Sequence, residues 1–152
     1  MEWCRCKKRD TCAAGEFKDH TELGIALIDD AITRAIPGDV TVDSSFTSAK
    51  VLNHIHSKQR AYVGDLKLNR KVSYAGRAQQ LQAVACQMPW EAQKPVRMGN
   101  TRYWYFRKQM RLPAVPHPVR IVLFWRERGD QEASTALGSN RLGWEVIRMV
   151  LV

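Results

Sequence analysis

The chain has 152 residues and carries 24 Lys plus Arg against 15 Asp plus Glu, a net charge of +9. That length suits a single domain that buries a core without disulfides or a structural metal, and 45% hydrophobic with 26% charged residues excludes a disordered chain. No apolar run approaches the roughly 18 residues of a membrane span, and no apolar stretch follows the basic start as a secretory signal requires.

Cys4, Cys6 and Cys12 crowd the first dozen positions and with His20 could be read as a zinc knuckle. Structural zinc sites usually have two ligand pairs separated by a longer loop, so a frayed, reduced N-terminus is the preferred reading. Asp19 and Glu22 then stand at capping-box spacing. The stripe Leu23, Leu27, Ala31 and Ala35, with Ile28 and Ile32 beside it, predicts a helix that Pro37-Gly38 ends. A short β run, Val40-Thr41-Val42, stops at Asp43, and Thr47 is expected to cap a second helix bearing Val51, Leu52 and Ile55.

Beyond residue 60 the pattern turns to β. Arg60–Leu68 and Lys71–Tyr74 read as strands, and a short helix is predicted around Gln79–Gln87, with Cys86 buried in its apolar pattern. Gly99-Asn100 predicts a hairpin turn, followed by a strand containing Trp104, Tyr105 and Phe106. Pro113, Pro116 and Pro118 mark a loop, and the apolar run Val119–Trp125 predicts a strand buried on both faces. Ser134–Gly138 reads as another short strand. Trp144, Ile147 and Leu151 have helical spacing, and the pattern stops at Val152 without cap or Gly, as expected of a helix cut short.

The charge is concentrated in one block. Residues 1–57 carry 7 basic and 9 acidic side chains, residues 58–128 carry 15 and 3, and residues 129–152 carry 2 and 3. The middle block also holds Tyr62, Tyr74, Trp90, Tyr103, Trp104, Tyr105, Phe106, Phe124 and Trp125. Cations interleaved with aromatics suit a phosphate backbone, where each contact releases counterions. A solvated basic face over core aromatics is the plainer alternative. The candidate DNA contacts are Lys67, Arg70, Lys71, Arg97, Arg102, Arg107, Lys108 and Arg111, which lie in or beside predicted β elements.

Asp43 is the strongest candidate for chemistry. At the carboxyl end of a short strand, its carboxylate can ligate magnesium, a hard ion that prefers oxygen. A loop or helix-cap role is the alternative for such an Asp. Asp29 and Asp30 are adjacent on a helix and do not face each other, and His54 and His56 lack a third ligand at zinc spacing, which leaves them as surface histidines.

The segments Gly15–Leu23 (Gly-Glu-Phe-Lys-Asp-His-Thr-Glu-Leu), Ile36–Leu52 (Ile-Pro-Gly-Asp-Val-Thr-Val-Asp-Ser-Ser-Phe-Thr-Ser-Ala-Lys-Val-Leu), Arg60–Arg70 (Arg-Ala-Tyr-Val-Gly-Asp-Leu-Lys-Leu-Asn-Arg) and Ser139–Arg148 (Ser-Asn-Arg-Leu-Gly-Trp-Glu-Val-Ile-Arg) resemble, in this order, insertion-sequence transposases of the DDE superfamily. The resemblance covers about residues 15–152, and residues 1–14 form a divergent N-terminal segment. It implies an α/β fold, an incomplete RNase H-like core interrupted by a mostly β insertion at about residues 70–126. It also implies metal-dependent DNA cleavage and strand transfer, in which two Asp and one Glu hold two divalent ions, magnesium or manganese.

Asp43 matches the second Asp of that triad, and Ser45 stands where relatives often have an aromatic residue. The first Asp and the final Glu have no counterpart between residues 1 and 152. The resemblance therefore implies a truncated transposase, inactive alone and unable to bind the metal stably. Its implied partners are DNA, both transposon ends and target, with room for a complementing transposase fragment. A non-catalytic basic nucleic-acid-binding protein, or a repressor of the parent element, is the rival expectation. Either would be soluble and cytoplasmic, nucleoid-associated if prokaryotic, with no membrane partner.

Overall fold

The structure, a computed structural model, describes residues 18–151, in two compact units divided between Pro37 and Gly38. The crowded cysteines and the divergent segment 1–14 lie outside the described residues.

In the first unit, helix α1 (His20–Thr33) begins with the expected capping box. The Asp19 carboxylate accepts from the Glu22 N–H at 2.8 Å, and Glu22 reaches back to the Asp19 N–H at 3.1 Å. Asp30 pairs with Arg34 at 2.9 Å, one turn on. The helix stops before the Pro-Gly pair that was expected to end it. Ala35 adopts a φ of 54°, and the Ile36 N–H closes on the Ala31 carbonyl at 3.0 Å. Left-handed backbone at the end of a helix satisfies carbonyls that the next turn would have bonded.

The second unit contains β1 (Val40–Val42), α2 (Ala49–Ser57), β2 (Tyr62–Leu66), β3 (Lys71–Tyr74), β4 (Arg77–Gln80) and α3 (Leu81–Cys86). One 3-10 turn (Trp90–Ala92) leads to β5 (Lys94–Met98), β6 (Thr101–Met110), β7 (Val119–Trp125), β8 (Thr135–Ser139) and α4 (Val146–Leu151). Six strands form one sheet in the order β1-β2-β8-β7-β6-β5, and β3 and β4 form a separate hairpin. Among the described strands only β1 and β2 run parallel, with Val40 opposite Tyr62 and Val42 opposite Gly64. Parallel neighbours need a crossover, and α2 supplies it. The other pairings of this sheet are antiparallel. The fold is thus mixed α/β with a mostly antiparallel sheet, and the strands at residues 94–125 extend the β1–β2 sheet through β8.

Strand β7 is the centre of the core. Val119, Ile121, Val122, Leu123, Phe124 and Trp125 are all buried, as their continuous apolar run predicts. On one face, Val63, Val96, Val122 and Phe124 pack with Val146 and Met149 of α4. Gly64, next to Val63, points to the other face, where a Cβ would meet Thr47 Cγ2 at 2.7 Å and Val42 Cγ2 at 2.9 Å. That close approach seats the start of α2, whose Val51, Leu52 and Ile55 are buried. The N-cap of α2 is Ser48 rather than Thr47. The Ser48 side chain accepts from the Val51 N–H, while Thr47 is turned inward and buried.

Two further expectations are corrected. Gln79 and Gln80, expected in a helix, end β4, because Ala75 and Gly76 both take positive φ (50° and 76°) and turn the chain into a tight hairpin. Cys86, expected to be buried, is exposed, and Leu81, Val84 and Ala85 form the inward side of α3. Among the described residues no helix is long and apolar enough to cross a membrane.

Candidate metal and nucleic-acid site

Asp43 leaves the carboxyl end of β1 as expected, and its side chain is exposed. The carboxylate accepts from the Ser45 N–H at 2.7 Å and from the Ser45 hydroxyl at 2.5 Å. The Asp43 carbonyl accepts from the Phe46 N–H at 3.1 Å. These bonds make an Asx turn that leads the chain into α2, so the cap-like role and the strand-end position coexist. Continuing the parallel register by one residue sets Asp43 beside Asp65 of β2. Asp65 is half-buried and accepts from the Thr135 hydroxyl at 3.3 Å. Nothing in the sequence pattern marked Asp65, because its place one residue beyond the Val42–Gly64 pair follows only from strand pairing.

A two-ion centre needs several carboxylates converging on ions roughly 3.5–4 Å apart. Among the described residues, no group of three or more His, Cys, Asp or Glu side chains is arranged to hold a metal ion. The described residues do not fit such a centre, and no cleavage step is derived from them.

The eight candidate DNA contacts separate into distinct settings. Lys67 and Lys71 are exposed on either side of the turn between β2 and β3. Arg97 and Arg102 face each other across the β5–β6 hairpin, both exposed beside the Gly99-Asn100 turn. Lys108 holds its ammonium 5.0 Å from the centre of the Tyr74 ring, and Arg111 bridges to Ser73 of the same hairpin. These six side chains are open to solvent.

Arg70 and Arg107 are engaged within the protein. Arg70 is half-buried and donates through Nη1 to the Thr47 carbonyl, tying the turn after β2 to the start of α2. Burial holds its guanidinium below the ordinary arginine range, an effect that the nearby Tyr62 partly offsets. Arg107 donates to the Glu145 carboxylate at 2.8 Å. Arg107 and Lys108 are consecutive in a strand, so they point to opposite sheet faces and cannot serve one surface.

A second set of cations lies outside the eight candidates that the sequence suggests. Arg128 lies 4.4 Å from the Trp90 ring centre and 4.9 Å from that of Trp104, and Arg126 lies 5.3 Å from that of Tyr103. Gln93, itself buried, accepts from the Gly129 N–H at 3.0 Å and holds this β7–β8 connection in place. The Arg126-Glu127-Arg128 run directly after an apolar strand was the available signal. Comparison with known proteins finds no protein-family model that matches the chain and no curated protein that matches it.

Proposed function

We propose that this chain is part of the catalytic domain of a DDE-type DNA transposase, a DNA-binding piece of an RNase H-like core that does not cut DNA by itself. The observation that carries the reading is Asp43, exposed at the carboxyl end of β1 in a parallel β1–α2–β2 unit. That is the edge at which open α/β sheets bind ligands and ions. Support also comes from the open cations Lys67, Lys71, Arg97, Arg102, Lys108 and Arg111 in the block of 15 basic and 3 acidic residues. Intact, such an enzyme would use magnesium or manganese held by three carboxylates, of which residues 1–152 offer the match at Asp43. A neighbouring fragment would have to supply the others.

A second reading is a non-catalytic nucleic-acid-binding protein, such as a repressor of the parent element. It is favoured by the two hydrogen bonds that Ser45 gives to the Asp43 carboxylate, which account for that residue as a turn former. Asp43→Asn separates the two. The transposase reading expects weak magnesium or manganese binding that the variant loses, with unchanged affinity for duplex DNA. The binding-module reading expects no divalent-ion response in either protein. Magnesium-dependent nicking of plasmid by the chain alone, abolished in Asp43→Asn, would overturn the expectation of inactivity. A salt-independent affinity for duplex DNA would remove both readings.

A further inference from the structure

His56, on the last turn of α2, stacks on His117 from the segment between β6 and β7, with ring centres 3.9 Å apart and planes 13° from parallel. His117 is 7% exposed, and its Nε2 lies 2.9 Å from the hydroxyl of Tyr62, which is fully buried. On the other side, Nδ2 of Asn140 lies 3.1 Å from Nδ1 of His56. The backbone fixes which end of that amide faces the histidine. Asn140 Oδ1 accepts from the Tyr62 N–H at 3.0 Å, and Nδ2 donates to the Arg60 carbonyl at 2.9 Å. An amide held this way offers a donor to Nδ1 of His56, whose ring is exposed to solvent, and Nδ1 accepts it.

The segment that carries His117 is also under backbone tension. Ala114 takes a φ of 60°, a left-handed conformation that L side chains disfavour, and its carbonyl accepts from Asn53 Nδ2 of α2 at 2.8 Å. Two ties therefore hold residues 111–118 on α2, the Asn53 bond and the stacked histidines. Leu112 and Val115 are buried beneath them, 3% and 4% exposed.

We infer that the stacked His56–His117 pair is a proton-operated latch that holds the segment between the two long central strands against α2. A proton on His56 Nδ1 breaks the bond to Asn140 and sets a cation against the facing ring of His117. Water reaches the exposed His56 ring but not His117, and on the buried side Tyr62 of β2 is neutral, Asn140 after β8 presents a donor, and Arg70 adds positive charge near Tyr62. Burial, and then His56, hold His117 well below the ordinary histidine range, at about 4. Acid therefore opens a local element rather than being absorbed silently.

The test follows the full chain from about pH 8 to about pH 3.5, a range that takes in the His117 transition at about 4. The Cε1–H resonances of His56 and His117 are recorded together with hydrogen exchange at the Leu112, Ala114, Val115 and His117 amides, corrected for intrinsic pH dependence. The latch requires interdependent titration of the two rings and a loss of protection of roughly tenfold at those amides. His56→Phe keeps a ring for stacking but cannot titrate, and should abolish the pH response. Asn140→Asp offers His56 an acceptor and should stabilise its protonated form, shifting the response to higher pH. Independent titration with pH-insensitive protection in the unmodified chain would overturn the latch whether or not either variant folds. So would a pH response of unchanged size in a folded His56→Phe.

Discussion

Arg107 of β6 and Glu145, just before α4, form an ion pair of 2.8 Å at the surface, and this pair engages the charge of a residue whose neighbour, Lys108, remains open. If the open cations meet phosphates, log affinity for duplex DNA falls with log salt by about 0.9 per contact, and five contacts give a slope of about −4 to −5. Lys108→Ala should flatten that slope by about 0.9, whereas Arg107→Ala should change it by less than half as much. Fluorescence anisotropy across a salt series measures both. An Arg107 effect equal to that of Lys108 would mean that the Glu145 pair opens on DNA.

Arg70 behaves differently in the same assay. Its guanidinium is bound to the Thr47 carbonyl, so Arg70→Met should lower stability by about 1–3 kcal/mol through the carbonyl left without its donor. The salt slope should stay unchanged. Urea unfolding followed by tryptophan fluorescence reads the first quantity, and the DNA titration the second.

Gly64 is required by close packing, because a Cβ there would meet side-chain atoms of Thr47 and Val42 at 2.7 and 2.9 Å. Both neighbours are β-branched and stiff, so relief requires moving α2 or β1. Gly64→Ala should destabilise the second unit by about 1–3 kcal/mol. It should also displace the Asp43–Phe46 turn, visible as shifted amide resonances for Ser44–Thr47. An unperturbed turn would show that β1 yields instead.

Stability should decline as the solution is acidified, and His117 sets the window. Its folded-state value of about 4 lies below the ordinary 6.5, so the unfolded chain binds the proton first. The contribution is therefore complete above about pH 6.5, lost progressively as pH falls toward about 4, and absent below it. The shift corresponds to at most roughly 3 kcal/mol. His117→Phe should remove most of this slope in urea midpoints measured across that range, while a slope that survives in full would assign the acid sensitivity to other groups.

The sequence by itself determined the features governed by neighbours along the chain. The Asp19–Glu22 capping box, the Gly99-Asn100 hairpin and the doubly buried Val119–Trp125 strand are each set by bonds or patterns within a few residues. The mixed α/β class and the strand-end position of Asp43 were legible for the same reason. Tertiary structure decided the rest. Arg97, Arg102, Arg107 and Lys108 look equivalent as sequence, and strand alternation with the distant Glu145 makes them unequal. Asp43 and Asp65 each follow the last paired residues of β1 and β2, Val42 and Gly64, a relation that only the parallel register sets, and His56 meets His117 across 61 positions because α2 and the β6–β7 segment pack together. A carboxylate's neighbours and an imidazole's permitted charge depend on distance and burial, and in a folded chain these are fixed by which elements pair, not by which residues are adjacent.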